Sequence, residues 1–210
     1  MGGCKIPGPT CTDTVQARGG NPTRGGSAAP LPTGTNTSRA TSSGGAISGW
    51  PRKIQWSEFR EIQKRPDGVA EDAQIHSEVS SPSRLSVARE NGQFRLPNYP
   101  AKLEVACDDT WAVAGTKNDD LLAHEQVHFD ITGLSGRDMV REILTLRAKT
   151  TAELQREVTR ITQRYQQLAS DLTEKYDRET NHSRNADQQK RWATHIKNCI
   201  DNDKPLSAPP

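Results

Sequence analysis

The spacing of apolar residues changes near residue 118, from the period of strands to the period of helices. Upstream of this point, apolar residues alternate with polar neighbours, and this alternation is typical of half-buried β-strands. Asn91-Gly92 lies between two such runs and predicts a hairpin turn, whereas Pro97 and Pro100 predict a loop. The alternating runs comprise Leu85 and Val87, then Leu103, Val105 and Cys107, then Trp111 and Val113.

From Asn118 onward, apolar residues recur every three or four positions, which predicts helices. Asn118 or Asp119 can cap a first helix that continues through two glycines. Thr150 and Glu153 have the capping-box spacing that starts a second long helix. Its apolar stripe consists of Leu154, Val158, Ile161, Tyr165, Leu168, Leu172 and Tyr176. A break over residues 177–183 separates it from a last helix that carries Trp192, Ile196 and Ile200.

These patterns predict an α+β fold. In residues 50–203, a small, mostly antiparallel sheet precedes a long antiparallel helical hairpin and a C-terminal helix. Residues 1–49 are rich in Gly, Pro, Ser and Thr. Such a composition cannot bury enough apolar surface to offset its ordering entropy, so we predict a disordered tail there. Residues 204–210 are predicted to form a loose C-terminal tail.

The overall composition narrows the classes of partner. The formal net charge is +2, with 26% charged and 32% hydrophobic residues. This near balance gives no reason to expect a nucleic-acid partner, and no apolar run reaches the length of a membrane span. No apolar segment of the signal-peptide kind follows Lys5. The oligomeric state cannot be predicted from these features.

The segment His124-Glu125-Gln126-Val127-His128 carries the clearest chemistry. On a helix, histidines four positions apart share one face and can bind one metal ion. Glu125 lies beside the first of them, where it can accept a proton from a water activated by zinc. The sequence therefore predicts a Zn²⁺ site with Glu125 as general base. The non-functional alternative is a pair of histidines that is merely exposed or packed on a helix.

A catalytic zinc needs a third protein ligand, and we prefer His182. If the two long helices form a hairpin that turns near Thr150, residues equally distant from the turn lie side by side. The level of the histidine pair is then close to residues 172–176, and His182 follows shortly after. On a continuous helix, Glu142 would lie about 20 Å beyond His128. The other candidates are Glu179, Glu142, Asp130 and His195.

Two neighbours of this segment could support the chemistry. The phenol of Tyr176 could stabilise a tetrahedral oxyanion, and the alternative is a core tyrosine that ends the apolar stripe. Asp177 or Asp130 could hold a ligating imidazole in its tautomer. We therefore take Tyr176 as a catalytic candidate beside Glu125.

These same residues resemble a bacterial family of predicted secreted zinc-dependent proteases, whose HExxH-containing domain has no established function. The resemblance extends over about residues 50–200. Ser183 departs from it, because the family is expected to have glycine after the histidine at position 182. The similar stretches are residues 54–59, with Trp56 and Phe59; residues 121–131, around the HExxH motif; and Tyr176-Asp177-x-x-Thr180-x-His182, with Gln189 and Trp192 after it.

The resemblance implies a metallopeptidase with a protein or peptide substrate, with His124, Glu125 and His128 as motif residues and His182 at the matching later position. It also implies a secreted or periplasmic location. Two rival hypotheses remain open. One is a non-catalytic helical interaction module with a structural or vestigial metal site. The other is a zinc amidase that acts on a non-peptide amide, such as cell-wall material.

The cysteines leave two alternatives open. Cys107, expected on a strand, and Cys199, on the last helix, could form a disulfide, which would fit an exported protein. The alternative is a pair of buried free thiols. Cys4 and Cys11 fall in the predicted tail.

Overall fold

A computed structural model describes residues 46–82 and 84–210. Most of the predicted tail, with Cys4 and Cys11, lies outside these ranges. The seven strands are β1 (Arg60–Ile62), β2 (Ala73–Gln74), β3 (Ser77–Ser80), β4 (Ala88–Glu90), β5 (Gln93–Arg95), β6 (Lys102–Val105) and β7 (Trp111–Val113). The three α-helices are α1 (Asp119–Thr145), α2 (Thr151–Thr180) and α3 (Ala186–Asp201), and a 3₁₀ turn spans Trp56–Glu58. This element order confirms the α+β prediction.

The strands form three small sheets in the described part of the chain. In the first, β7 lies between β1, to which it is parallel, and β2, to which it is antiparallel. The pairs β3–β6 and β4–β5 are both antiparallel. The β4–β5 hairpin turns at Asn91 and Gly92, as predicted. Both turn residues have positive φ, 50° and 79°, as a two-residue type I′ turn requires.

The long helices form the predicted antiparallel hairpin. Asn118 caps α1, because its side chain accepts a hydrogen bond from the backbone N–H of Leu121. Thr150 caps α2 in the same way. Ser135 Oγ donates to the carbonyl oxygen of Tyr165 across the hairpin, so residues equally distant from the turn do lie side by side.

Helix α1 is the central element, because two hydrophobic clusters pack against it. Its Phe129 and Ile143 belong to the cluster that includes the sheets and the first half of α2. Its Ile131 and Leu134 belong to the cluster with the second half of α2 and helix α3. This double burial fixes the height and rotation of α1 relative to α2, and the HExxH motif lies on α1.

Some local predictions were wrong. Leu85 and Val87 precede β4 instead of forming a strand, and Val87 is exposed. Cys107 lies in a turn after β6. Cys199 is a buried free thiol, so it does not form the disulfide with Cys107 that we considered.

The ordered chain also extends past both ends of the predicted range of 50–203. At the start, Ile47 is buried and Ser48 forms backbone hydrogen bonds with Ala101 and Leu103. At the end, Leu206 is buried and its N–H donates to Asp138 Oδ2 at 2.7 Å. The C-terminal residues are therefore packed where we expected a loose tail. A buried carboxylate on α1 supplies the hydrogen bond that the sequence did not reveal.

The two glycines inside α1 explain how the helix packs so closely. A Cβ atom at Gly133 would overlap the indole ring of Trp50, and a Cβ at Gly136 would lie 2.6 Å from Cγ2 of Val79. Trp50 is held there because its Nε1 donates to Asp130 Oδ1 at 2.9 Å. The glycines thus do not end the helix, as predicted.

We expect Gly133→Ala to lower the free energy of unfolding by about 1–3 kcal/mol, even though alanine favours a helix by about 1 kcal/mol. The indole cannot remain in place once a Cβ is added. Urea unfolding of Gly133→Ala, Trp50→Ala and the double variant measures this. In the double variant the clash is absent, so the glycine substitution should no longer destabilise. An equal loss in both backgrounds would contradict this explanation.

Candidate metal centre

The hairpin brings the HExxH motif of α1 against the end of α2. His124 Nε2 lies 3.1 Å from His128 Nε2, and both face Asp177 on α2. Asp177 Oδ1 lies 3.1 Å from the first nitrogen and 2.9 Å from the second. His124 is only 2% exposed. Three potential ligand atoms from two helices therefore meet at one point.

Hydrogen bonds cannot satisfy these three contacts together. A carboxylate oxygen only accepts, and each Nε2 carries at most one proton. If both nitrogens donate to Asp177, no acceptor remains between the two rings. If one ring donates to the other, the accepting nitrogen faces the carboxylate with no proton between them. A cation bound by all three atoms removes the conflict, and two imidazoles with a carboxylate are ligands that suit zinc.

The orientation of Asp177 shows which role fits it. A carboxylate that only orients a metal-bound histidine accepts a hydrogen bond from the ring nitrogen facing away from the metal. Asp177 instead contacts the Nε2 atoms that face one another. The Nδ1 atoms of His124 and His128 are buried, with no hydrogen-bond partner among the described residues. This geometry fits Asp177 as a candidate metal ligand, in addition to the orienting role that the sequence suggested for Asp177 or Asp130.

His182 lies beside this cluster instead of inside it. Its Nδ1 is 2.8 Å from Glu71 Oε1, in a contact not aligned as a hydrogen bond. Potential ligand atoms of Glu71, Asp177 and His182 lie within 4.8 Å of one another. The two clusters thus share Asp177, and the preference for His182 as third ligand stays a prediction. The turn that carries His182 has positive φ at Ser183 (71°), a conformation that glycine adopts without strain.

The other candidate ligands are engaged elsewhere. Asp130 accepts hydrogen bonds from Trp50 and Gln126. Glu142 accepts from Tyr165 and Arg164 on the exposed side of the hairpin. Glu179 accepts from Trp192 Nε1 at 2.7 Å. His195 Nε2 lies 3.0 Å from the carbonyl oxygen of Ser207.

Tyr176 packs against the imidazoles. Its ring stacks on His124 with centroids 4.6 Å apart and meets His128 edge-on at 5.0 Å. The residue is fully buried, and its hydroxyl has no hydrogen-bond partner among the described residues. Burial raises the pKa of the phenol, so the group stays protonated. These contacts favour a role in positioning the imidazoles.

Glu125 points to the sheet side of the motif. Its Oε2 accepts a hydrogen bond from the backbone N–H of Ile75 at 2.8 Å, and the side chain is 2% exposed. Burial raises the pKa of Glu125 to about 7. A carboxylate with a pKa near neutrality can both accept and release a proton at physiological pH. Its position therefore suits the predicted general base.

The pKa values of the two imidazoles shift in opposite directions. Burial lowers the pKa of His124 to about 4. Burial also acts on His128, but its contact with Asp177 outweighs burial and raises the pKa. The same contacts overcome burial at Asp177 and hold the pKa of its carboxyl well below its ordinary value. The His124 ring is thus neutral near pH 7 and ready to bind a metal ion, whereas His128 binds a proton more readily, and a metal ion would compete with that proton.

A cleft of about 520 Å³ opens from this cluster. Glu125, His128 and Asp177 reach it at one end, whereas Tyr176 and His124 do not line it. One wall consists of residues 73–79, and the opposite wall comes from α1 and α2, including Met139. A ligand in the cleft would therefore contact the candidate base and two of the candidate metal ligands.

The sequence contained no signal for two parts of this site. Glu71 lies in the connection between β1 and β2, and nothing in its surroundings relates it to His182. The hydrogen bond between Ile75 and Glu125 joins residues 50 positions apart through a backbone group, which no side-chain motif encodes. The proximity of Asp177 did follow from the predicted hairpin.

Residues 88–183 match the family model described as "Bacterial protein of unknown function (DUF922)". The match contains the HExxH motif, Asp177 and His182, and supports an uncharacterised bacterial family for this part of the chain. It carries no statement about zinc or proteolysis. No curated protein matches the chain, and no solved structure matches it.

The raised pKa of Glu125 predicts a pH dependence for the metal-free chain. Between pH 4.5 and 7 the folded state binds a proton that the unfolded state has released, so stability falls as the pH rises through this window. We expect the chelator-treated chain to lose up to roughly 3 kcal/mol more stability between pH 5 and pH 8 than Glu125→Gln. Urea unfolding at both pH values measures this, and parallel losses in the two proteins would contradict the pKa shift.

Proposed function

We propose that the chain is a zinc-dependent hydrolase of the peptidase class, in which His124, His128 and Asp177 hold the metal ion. The observation that carries this proposal is the convergence of three ligand atoms within 3.1 Å, which hydrogen bonds alone cannot satisfy. Bound zinc would polarise a substrate carbonyl and lower the pKa of a water molecule. The following steps depend on side chains of the chain itself.

Glu125 is the general base in this proposal. One carboxylate oxygen is fixed by the N–H of Ile75, so the other can accept the proton of the attacking water and later deliver it to the leaving amine. Tyr176 packs on both imidazoles and keeps them oriented toward Asp177. His182 contacts Glu71 at the rim of the cleft, where an imidazole N–H could donate a hydrogen bond to a carbonyl oxygen that gains negative charge.

The open cleft favours an enzyme over a structural metal site. Structural zinc sites are closed by four protein ligands, whereas catalytic sites keep a position free for water or substrate. The converging cluster supplies three ligands, and two of them reach the cleft. A peptide suits this cleft better than a nucleic acid, because no Lys or Arg is among the described residues that line it.

None of the described helices is both long enough and apolar enough to span a membrane. Export to the periplasm or the medium is a further part of the proposal, and it rests on the family resemblance alone.

The proposal is tested by measuring both zinc content and peptide hydrolysis for the wild type and its variants. We expect one zinc ion per chain by elemental analysis, lost in His128→Ala and Asp177→Ala because each removes one of three ligands. Glu125→Gln should keep the zinc and lose hydrolysis of a fluorescence-quenched peptide library by at least about a hundredfold, since it removes only the base. His182→Ala decides its role. Retained zinc with lower kcat assigns it to the rim, and lost zinc makes it a ligand.

Glu142→Ala is the matched control, because Glu142 is also a carboxylate on α1 but lies away from the cluster. It should retain both zinc and activity. A wild-type chain that binds no zinc, when purified without chelator and supplied with zinc, would overturn the proposed function.

Tyr176→Phe tests whether the phenol acts through its ring or its hydroxyl. A buried hydroxyl without a partner costs about 1–3 kcal/mol. We therefore expect the variant to be at least as stable as the wild type, with unchanged zinc content and kcat within about twofold. Urea unfolding and steady-state kinetics measure both. A fall in kcat of about a hundredfold with full zinc content would instead identify the hydroxyl as an oxyanion donor.

A further inference from the structure

Strand β3 has one unpaired edge among the described residues. It pairs only with β6, and the register aligns Ser77 with Val105 and Val79 with Leu103. An edge strand presents a row of backbone N–H and C=O groups that can pair with another extended chain. The direction in which these groups point decides what they can bind.

The edge faces the candidate metal centre. The carbonyl oxygen of His76 accepts from Ala106, so the backbone of His76 points toward β6. Backbone groups of successive residues in a strand point to alternate sides. The backbone N–H and C=O groups of Ser77 and Val79 therefore point away from β6. They point to the side on which the N–H of Ile75 donates to Glu125.

An independent contact supports this alternation. The N–H of Leu103, which is opposite Val79, donates to the carbonyl oxygen of Ser48 on the far side of β6. The pair Val79–Leu103 is thus not hydrogen-bonded, and the N–H and C=O of Val79 stay free for the other edge. These edge residues also line the cleft that contains Glu125 and Asp177.

The charge of the cleft selects among extended ligands. Four carboxylates line it: Glu125 and Asp177 belong to the candidate metal centre, whereas Glu71 and Glu78 lie outside the cluster of His124, His128 and Asp177, and no described lining residue is Lys or Arg. Glu78 lies directly across from Glu104, and no ion pair neutralises it among the described residues. Apart from His76 and His128, the other lining residues have no basic side chain. A ligand with basic side chains therefore complements this surface.

We propose that β3 is the docking edge for an extended peptide with basic side chains, which adds as a strand by pairing with the backbone of Ser77 and Val79. This mode of binding, in which main-chain hydrogen bonds give affinity, is β-augmentation. The proposal rests on the proposed peptidase function and adds to it the substrate's conformation and charge. It places the substrate backbone between β3 and helix α2.

The first test changes the peptide and leaves the protein intact. The probes are fluorescence-quenched decapeptides with an alanine backbone and lysine on both sides of the centre, N-methylated at one amide at a time. Loss of one backbone hydrogen bond should lower kcat/KM by about three- to tenfold. The loss should appear at every second amide, because only alternate amides face β3. Sensitivity without alternation would overturn strand addition.

The second test changes the protein. Ser77→Pro removes one unpaired N–H from the edge and should lower kcat/KM for the lysine peptide by about three- to tenfold while zinc content is unchanged. Val87→Pro is the matched control, because Val87 is exposed and lies outside the cleft and the strands. If Ser77→Pro fails to fold, the N-methylation series still decides. A folded Ser77→Pro variant with wild-type kcat/KM would overturn the docking edge.

The charge preference has its own comparison. Wild type should cleave the lysine peptide about tenfold better than a matched glutamate peptide at low ionic strength, and Glu78→Lys should reduce or reverse this ratio. Equal cleavage of the two peptides would overturn the choice of basic side chains. A zinc-loaded wild type that cleaves no peptide would instead refute the peptidase function itself, so the two failures are distinguishable.

Discussion

Three atoms that cannot satisfy one another by hydrogen bonding meet between the two long helices. Two imidazole nitrogens and one carboxylate oxygen lie within 3.1 Å, in a place where His124 is almost wholly buried. Burial of an imidazole or a carboxylate without a hydrogen-bond or ionic partner costs free energy of folding. A fold that holds them together therefore has to be stabilised elsewhere, and here the stabilisation comes from the packing of α1. The candidate metal centre depends on that packing.

The packing fixes the site through the register of the helical hairpin. Residues of α1 are buried in two hydrophobic clusters on different sides of the helix. Gly133 and Gly136 allow Trp50 and Val79 to approach its backbone closely. A slip of α2 by one turn would move Asp177 about 5.4 Å along its axis and break all its contacts with the imidazoles. The position of Asp177 thus reports the register of the whole hairpin.

The spacing of apolar residues was sufficient to predict the helices, but it was not sufficient to predict all of the small strands. Amphipathic stripes and caps at Asn118 and Thr150 predicted the hairpin and hence the neighbourhood of residue 177. Strands of two to four residues leave too few positions for alternation to be distinctive, so Leu85 and Val87 were misassigned. The same spacing predicted that Asp177 lies near the histidine pair, but spacing does not show which ring nitrogen the carboxylate meets. The position of Glu71 beside His182 follows from the tertiary structure alone.

The hydrogen bond from the N–H of Ile75 to Glu125 links the candidate base to the wall of the cleft. Ser77 is two residues farther along the same extended segment, about 7 Å from Ile75. A peptide that pairs with Ser77 would therefore run within one or two residues of the Glu125 carboxylate. Because the same backbone segment positions both the base and the docking edge, a shift of that segment would move the two together. In the proposed mechanism, this coupling explains why the carboxylate of the candidate base also accepts a structural hydrogen bond.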